Sequence, residues 1–190
     1  MRHYFRAAIL CLPLLAVAPT SSVATAQGGA APLGAADRLV NDPRVDALRP
    51  YGLALPPAVR ADKGVQFGKA LRFKLSGHAD FWRIGVTTPT TRAIRKGDRI
   101  VVAFWARATG TDMNLPGRIG RVQLEETPVV RALVEKPFEI GPEWKMYQMS
   151  GRVDRDYAPG QLNAALHVDA AKQVLDIGPV FVLDYGQDAS

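Results

Sequence analysis

Hydrophobic and polar positions alternate in short runs along most of this chain, and clusters of Gly, Pro, Asp and Asn separate the runs. Leu71, Phe73 and Leu75 share one parity, with Arg72 and Lys74 on the other. Val122 and Leu124 likewise oppose Arg121, Gln123 and Glu125. A period of two is that of a half-buried strand. Strands are predicted at 69–75 (KALRFKL), 82–88 (WRIGVTT), 99–108 (RIVVAFWARA) and 118–126 (RIGRVQLEE), then at 131–140 (RALVEKPFEI), 144–153 (WKMYQMSGRV), 162–168 (LNAALHV) and 173–184 (QVLDIGPVFVLD). The turn segments RKGDR, TGTDMNLPG, IGPEW and RDYAPGQ fall between them. No amphipathic helix of useful length and no internal repeat interrupts the pattern. The expected fold is all-β, a jelly-roll β-sandwich of about eight or more strands, and an alternating α/β fold, a propeller and a solenoid are excluded.

The first part of the chain follows another pattern. Arg2 and Arg6 precede the apolar run 7–18, and a small-residue stretch ends in Ala24-Thr25-Ala26, the layout of a secretory signal peptide cut after Ala26. Residues 27–59 read as a flexible or irregular lead-in, Gly/Ala/Pro-rich to residue 33, then one short helical turn among Pro43, Pro50, Pro56 and Pro57. The expected organisation is therefore a leader over 1–26, the lead-in over 27–59 and the sandwich domain over 60–190, with a secreted or periplasmic location.

Composition adds three constraints. Cys11, the only cysteine, lies in the leader, so the exported chain has no disulfide and depends on its core. Losing Arg2 and Arg6 lowers the net charge from +6 to +4, and the basic residues are scattered, which argues against nucleic acid as a partner. No segment approaches the roughly 20 apolar residues of a membrane-spanning helix.

Strand parity also selects candidate chemistry. With Val102, Phe104 and Ala106 facing the core, Trp105 and Arg107 face outward, a flat ring beside a guanidinium. Gln123, Glu125, Gln148, Asn163, His167 and Gln173 fall outward or at a strand start in the same way, supplying amides, a carboxylate and an imidazole. Trp82 sits near a loop, with Phe81 and Tyr157 as lesser candidates, whereas Trp144 and Tyr147 read as packing.

The order VQFGKALRFKLSG, DFWRIGVTTPTTRAIRKGDRIVVAFWARA, GPEWKMYQMSGRVDRDYAPGQ and AALHVDAAKQVLDIGPVFVLDYG resembles the galactose-binding-like jelly rolls of carbohydrate-binding module families four and nine, over about residues 60–186. The resemblance implies a polysaccharide or glycan as partner, gripped on one concave sheet, and a separate carbohydrate-active enzyme as a further partner. Such modules often hold a structural calcium through an Asn-x-x-Phe-Glu type opening. That opening is missing between Gln27 and Arg60, so no cofactor is expected.

Enzyme motifs are scarce. Gly-x-Ser-x-Gly and His-Glu-x-x-His are absent, and only His78 and His167 remain beyond the leader. The expected function is non-catalytic glycan binding by a secreted module. The alternatives are a polysaccharide lyase built on a His/Tyr/Arg/Gln cluster, a glycoside hydrolase built on two of the glutamates, and an envelope module that binds another protein.

Overall fold

The computed structural model describes residues 34–111 and 115–187. The segment expected to be a leader, with its expected cleavage site after Ala26, lies outside the described residues. Ten strands are present: β1 (Arg49–Tyr51), β2 (Ala58–Ala61), β3 (Lys69–Ser76), β4 (Gly85–Pro89), β5 (Arg99–Thr109), β6 (Gly117–Glu126), β7 (Arg131–Ile140), β8 (Lys145–Arg152), β9 (Leu162–His167) and β10 (Lys172–Asp184). They form two five-stranded antiparallel sheets, a front sheet ordered β1-β4-β9-β6-β7 and a back sheet ordered β2-β3-β10-β5-β8. The fold is an all-β jelly-roll sandwich. No helix among the described residues is long and apolar enough to cross a membrane.

The core lies between the sheets and follows the alternation. Phe73, Leu75, Val102, Phe104 and Ala106 of the back sheet meet Val122, Leu124, Leu162, Ala164 and Leu166 of the front sheet in one buried cluster. Phe104 stacks on Tyr147 at 5.6 Å and meets Phe138 edge-on at 5.2 Å, which places Tyr147 in packing.

Two departures from the sequence reading matter. Residues 82–84 are not strand: Phe81–Arg83 form a 3₁₀ turn and β4 begins at Gly85, which leaves Trp82 at the end of the sheet. The segment expected to be lead-in also contributes β1 and the start of β2, and Val40, Val45 and Leu48 are buried in the core. Asn41 fastens this segment. Its amide donates to Thr88 Oγ1 at 3.0 Å and to the Val180 carbonyl at 2.8 Å, and its Oδ1 accepts the Val182 N–H at 2.8 Å. Strands of three and four residues, one with Pro50 at its centre and the other preceded by Pro56 and Pro57, are too short to display an alternation, and for this reason the pattern misses them.

Candidate functional site

Antiparallel register sets out the outer face of the front sheet in rows. One row runs Tyr51, Gly85, His167, Arg121 across β1, β4, β9 and β6. The next runs Arg49, Thr87, Ala165, Gln123, Glu135, and the third Pro89, Asn163, Glu125, Ala132. Ala165 and Gly85 carry little or no side chain, so the sheet is hollow in the middle. A cavity of about 410 Å³ occupies this face, lined by Tyr51, Trp82, Thr87, Gln123, Glu125 and His167 together with Arg121, Val130 and Ala132.

Glycine makes the first row possible. A side chain at Gly85 would collide with the Tyr51 ring, so only a bare backbone lets Tyr51 reach across β4. There its hydroxyl meets His167 Nδ1 at 2.5 Å. Gly120 acts the same way in the first half of β6, where the Phe81 ring lies against the backbone. Phe81 then packs near His167 at 6.4 Å, holds Trp82 edge-on at 5.2 Å and lies under the Arg121 guanidinium at 5.4 Å. Trp82 is thus fixed on one side and open on the other, with 51% of its surface exposed. At the far end of β6, Val130 is exposed at a φ of 55°, a region that β-branched residues avoid. From Arg121 to Glu125 the floor spans about 13 Å at 3.3 Å per residue.

The floor is polar and incompletely satisfied. Gln123 Nε2 donates to Glu125 Oε2, and Gln123 Oε1 is buried without a partner. Burial pushes the Glu125 carboxyl above its ordinary value, and the Gln123 hydrogen bond pulls the other way without cancelling the effect. Burial also lowers His167, with the Arg121 charge adding to the effect and Glu135 opposing it, so the imidazole is neutral near pH 7. Tyr51 is raised, first by burial and then by the Glu125 charge, and keeps its proton. Arg121 Nε faces Glu135 Oε2 at 3.4 Å.

Gln123, Glu125, His167 and Trp82 therefore come together. Asn163 lies on the same face, opposite Glu125 in register, but does not line the cavity. The other candidates lie elsewhere. Trp105 and Arg107 project from the back sheet, where Arg107 binds Asp176 at 2.9 Å and Asp62 at 2.8 Å and lies over the Trp144 ring at 4.8 Å. Gln148 is exposed on β8 of the same sheet, opposite Ala103. Gln173 is buried and clamps β10 to β6, accepting the Arg118 N–H at 2.8 Å and donating to the Arg118 carbonyl at 2.6 Å. Tyr157 is buried, with its hydroxyl on Asp154 at 2.6 Å. Tyr51, Thr87, Arg121, Val130 and Ala132 complete the cavity beyond the sequence candidates. Of these, Arg121 shares the parity of Gln123 and Glu125, a signal present in the sequence.

No protein-family model matches the chain, and no curated protein does. Solved structures do. A family 4 carbohydrate-binding module superposes with a TM-score of 0.55 at 13% identity, over 73% of this chain and 95% of that one. The sandwich is a jelly roll similar to that of family 4 carbohydrate-binding modules. The second N-terminal cellulose-binding domain of a Cellulomonas fimi β-1,4-glucanase gives 0.55 at 17% identity, over 80% of this chain and 93% of that one. An arabinose-bound α-L-arabinofuranosidase gives 0.58 at 14% identity, over 77% of this chain, but the match spans only 26% of the enzyme. At these identities the likeness is one of fold.

Proposed function

We propose that the outer face of the front sheet binds a glycan chain without cleaving it, and that the protein acts as an exported carbohydrate-binding module. The carrying observation is the cavity along β6. It has an exposed Trp at one end, an apolar shelf of Val130 and Ala132 at the other, and a floor that offers a carboxylate and an amide carbonyl between them. A sugar ring presents an apolar C–H face to an indole and hydroxyls to the floor, so the two halves of the site match the two halves of a sugar. The volume suits a short stretch of chain rather than a large ligand.

The Tyr51–His167 pair favours one second reading, eliminative cleavage of an acidic glycan. An elimination requires the substrate carboxylate to be neutralised. The two groups placed to do so, Arg121 and Gln123, face Glu135 and Glu125 instead, which puts two protein carboxylates beside the spot where a third would sit. Binding without turnover is the better fit.

The test is to screen the exported protein against soluble and insoluble polysaccharides, then to incubate it with those it retains. The expected result is retention without new reducing ends or unsaturated products. Release of either product, lost in Tyr51→Phe and His167→Ala, would replace this reading with an enzymatic one.

A further inference from the structure

Glu125 is a buried carboxylate without a counter-charge. Its cross-strand neighbours, Asn163 on β9 and Ala132 on β7, are neutral, and its hydrogen bond comes from the neutral amide of Gln123. Arg121 is four residues away along β6, about 13 Å at strand spacing, and faces Glu135. Arg131 pairs with Glu126 and Asp154, and the His167 imidazole is neutral near pH 7. A buried charge in this state is costly.

The adjacent Gln123 is 3% exposed, and its Oε1 lacks any donor. Two acceptors, one of them charged, thus stand together on the floor of a cavity walled by the Tyr51 and Trp82 rings. Ligand chemistries can be ranked against that arrangement. A uronate would add a second negative charge next to Glu125. A neutral sugar would give each hydroxyl's single donor and leave the carboxylate uncompensated. An ammonium carries three donors and the missing positive charge, and aromatic walls favour a cation.

We propose that this subsite takes an amine-bearing sugar, whose ammonium group donates to the Glu125 carboxylate and to Gln123 Oε1. The proposal rests on the glycan reading of this face. The chain as a whole carries a net charge of +6, so general electrostatics opposes a cationic ligand, and a preference for one is local to Glu125.

The experiment is isothermal titration of the full chain with a β-1,4-linked glucosamine oligomer, its N-acetylated form and the glucose oligomer of equal length, at a pH where the free amines are charged. The expected result is that the glucosamine oligomer binds at least about tenfold tighter than the other two. Glu125→Gln is expected to erase that advantage, bringing the affinity for the glucosamine oligomer down to that for the glucose oligomer. Equal affinity for the charged and uncharged oligomers overturns the amine subsite and leaves the glycan reading standing. An advantage that survives Glu125→Gln overturns it too, because the cation is then recognised elsewhere. Binding of none of the three overturns the amine subsite, and the glycan reading then stands or falls on the polysaccharide screen.

Discussion

The outer faces of the two sheets use the same residue types to opposite ends. On the back face, Asp176 sits between Arg72, at 2.6 and 2.7 Å, and Arg107, at 2.9 Å. Burial pushes the Asp176 carboxyl up, but the hydrogen bonds from the two arginines outweigh burial and hold it below the usual carboxylate range. On the front face, Glu125 is as deeply buried, has only an amide for a partner and is pushed up. Among the described residues the back sheet leaves three donors without partners, Arg99 Nε and the indole N–H groups of Trp105 and Trp144, whereas the front face leaves an acceptor beside an unmatched charge. The lesson is that an outward carboxylate, guanidinium or Trp does not by itself mark a site. A site is marked where a charge and an acceptor that the protein leaves unmatched line an open cavity, as Glu125 and Gln123 do.

Several substitutions would break or sharpen this contrast. The largest effect is expected at Asp176→Ala, which strands the half-buried Arg72 guanidinium, removes one of the two carboxylates that hold Arg107 and should cost about 3 kcal/mol of stability by urea denaturation. Glycan affinity should be unchanged in the folded variant, and a matching loss of affinity would show that the back face contributes to binding. Trp82→Ala removes an exposed ring at the end of the front cavity. It should weaken glycan binding by about 1–3 kcal/mol while leaving the melting temperature nearly unaltered.

A smaller effect of opposite sign is expected at Glu125→Gln. The Glu125 pKa is raised above its ordinary 4.5 in the folded state, so the folded protein holds that proton more tightly than the unfolded chain does. Its contribution favours folding below pH 4.5 and is lost as the pH rises through the folded value. Glu125→Gln should therefore stabilise the free protein at neutral pH by on the order of 1 kcal/mol. The gain should vanish in melts taken below the ordinary carboxylate value. A stabilising substitution that impairs binding would identify Glu125 as kept for its ligand. A destabilising one would make it part of the scaffold.

The sequence made the scaffold legible because nearly every strand from β3 to β10 is long enough to show its period. Phe73, Phe104 and Leu124 face the core as their parity requires. The same parity placed Trp105 and Arg107 outward, but alternation says nothing about which sheet a strand joins. That is why residues of β5, β8 and β6 looked like one site before β5 and β8 proved to lie in the back sheet. Tyr51 was hidden for another reason. It belongs to a three-residue strand beside Pro50, and its reach to His167 depends on the bare backbone of Gly85, a long-range relation that no local pattern records. Gln173 shows the converse: an amide at a strand start looks free in the sequence, and both of its ends are bonded inside the protein.

The central claim, that glycan binds along β6 of the front sheet, is tested most directly by affinity electrophoresis of Trp82→Ala and Trp105→Ala in gels cast with a polysaccharide that retards the wild-type protein. The account predicts that Trp82→Ala is retarded far less than the wild type, and that Trp105→Ala is retarded like the wild type. Loss of retardation in Trp105→Ala with Trp82→Ala unaffected would contradict it and move the site to the back sheet.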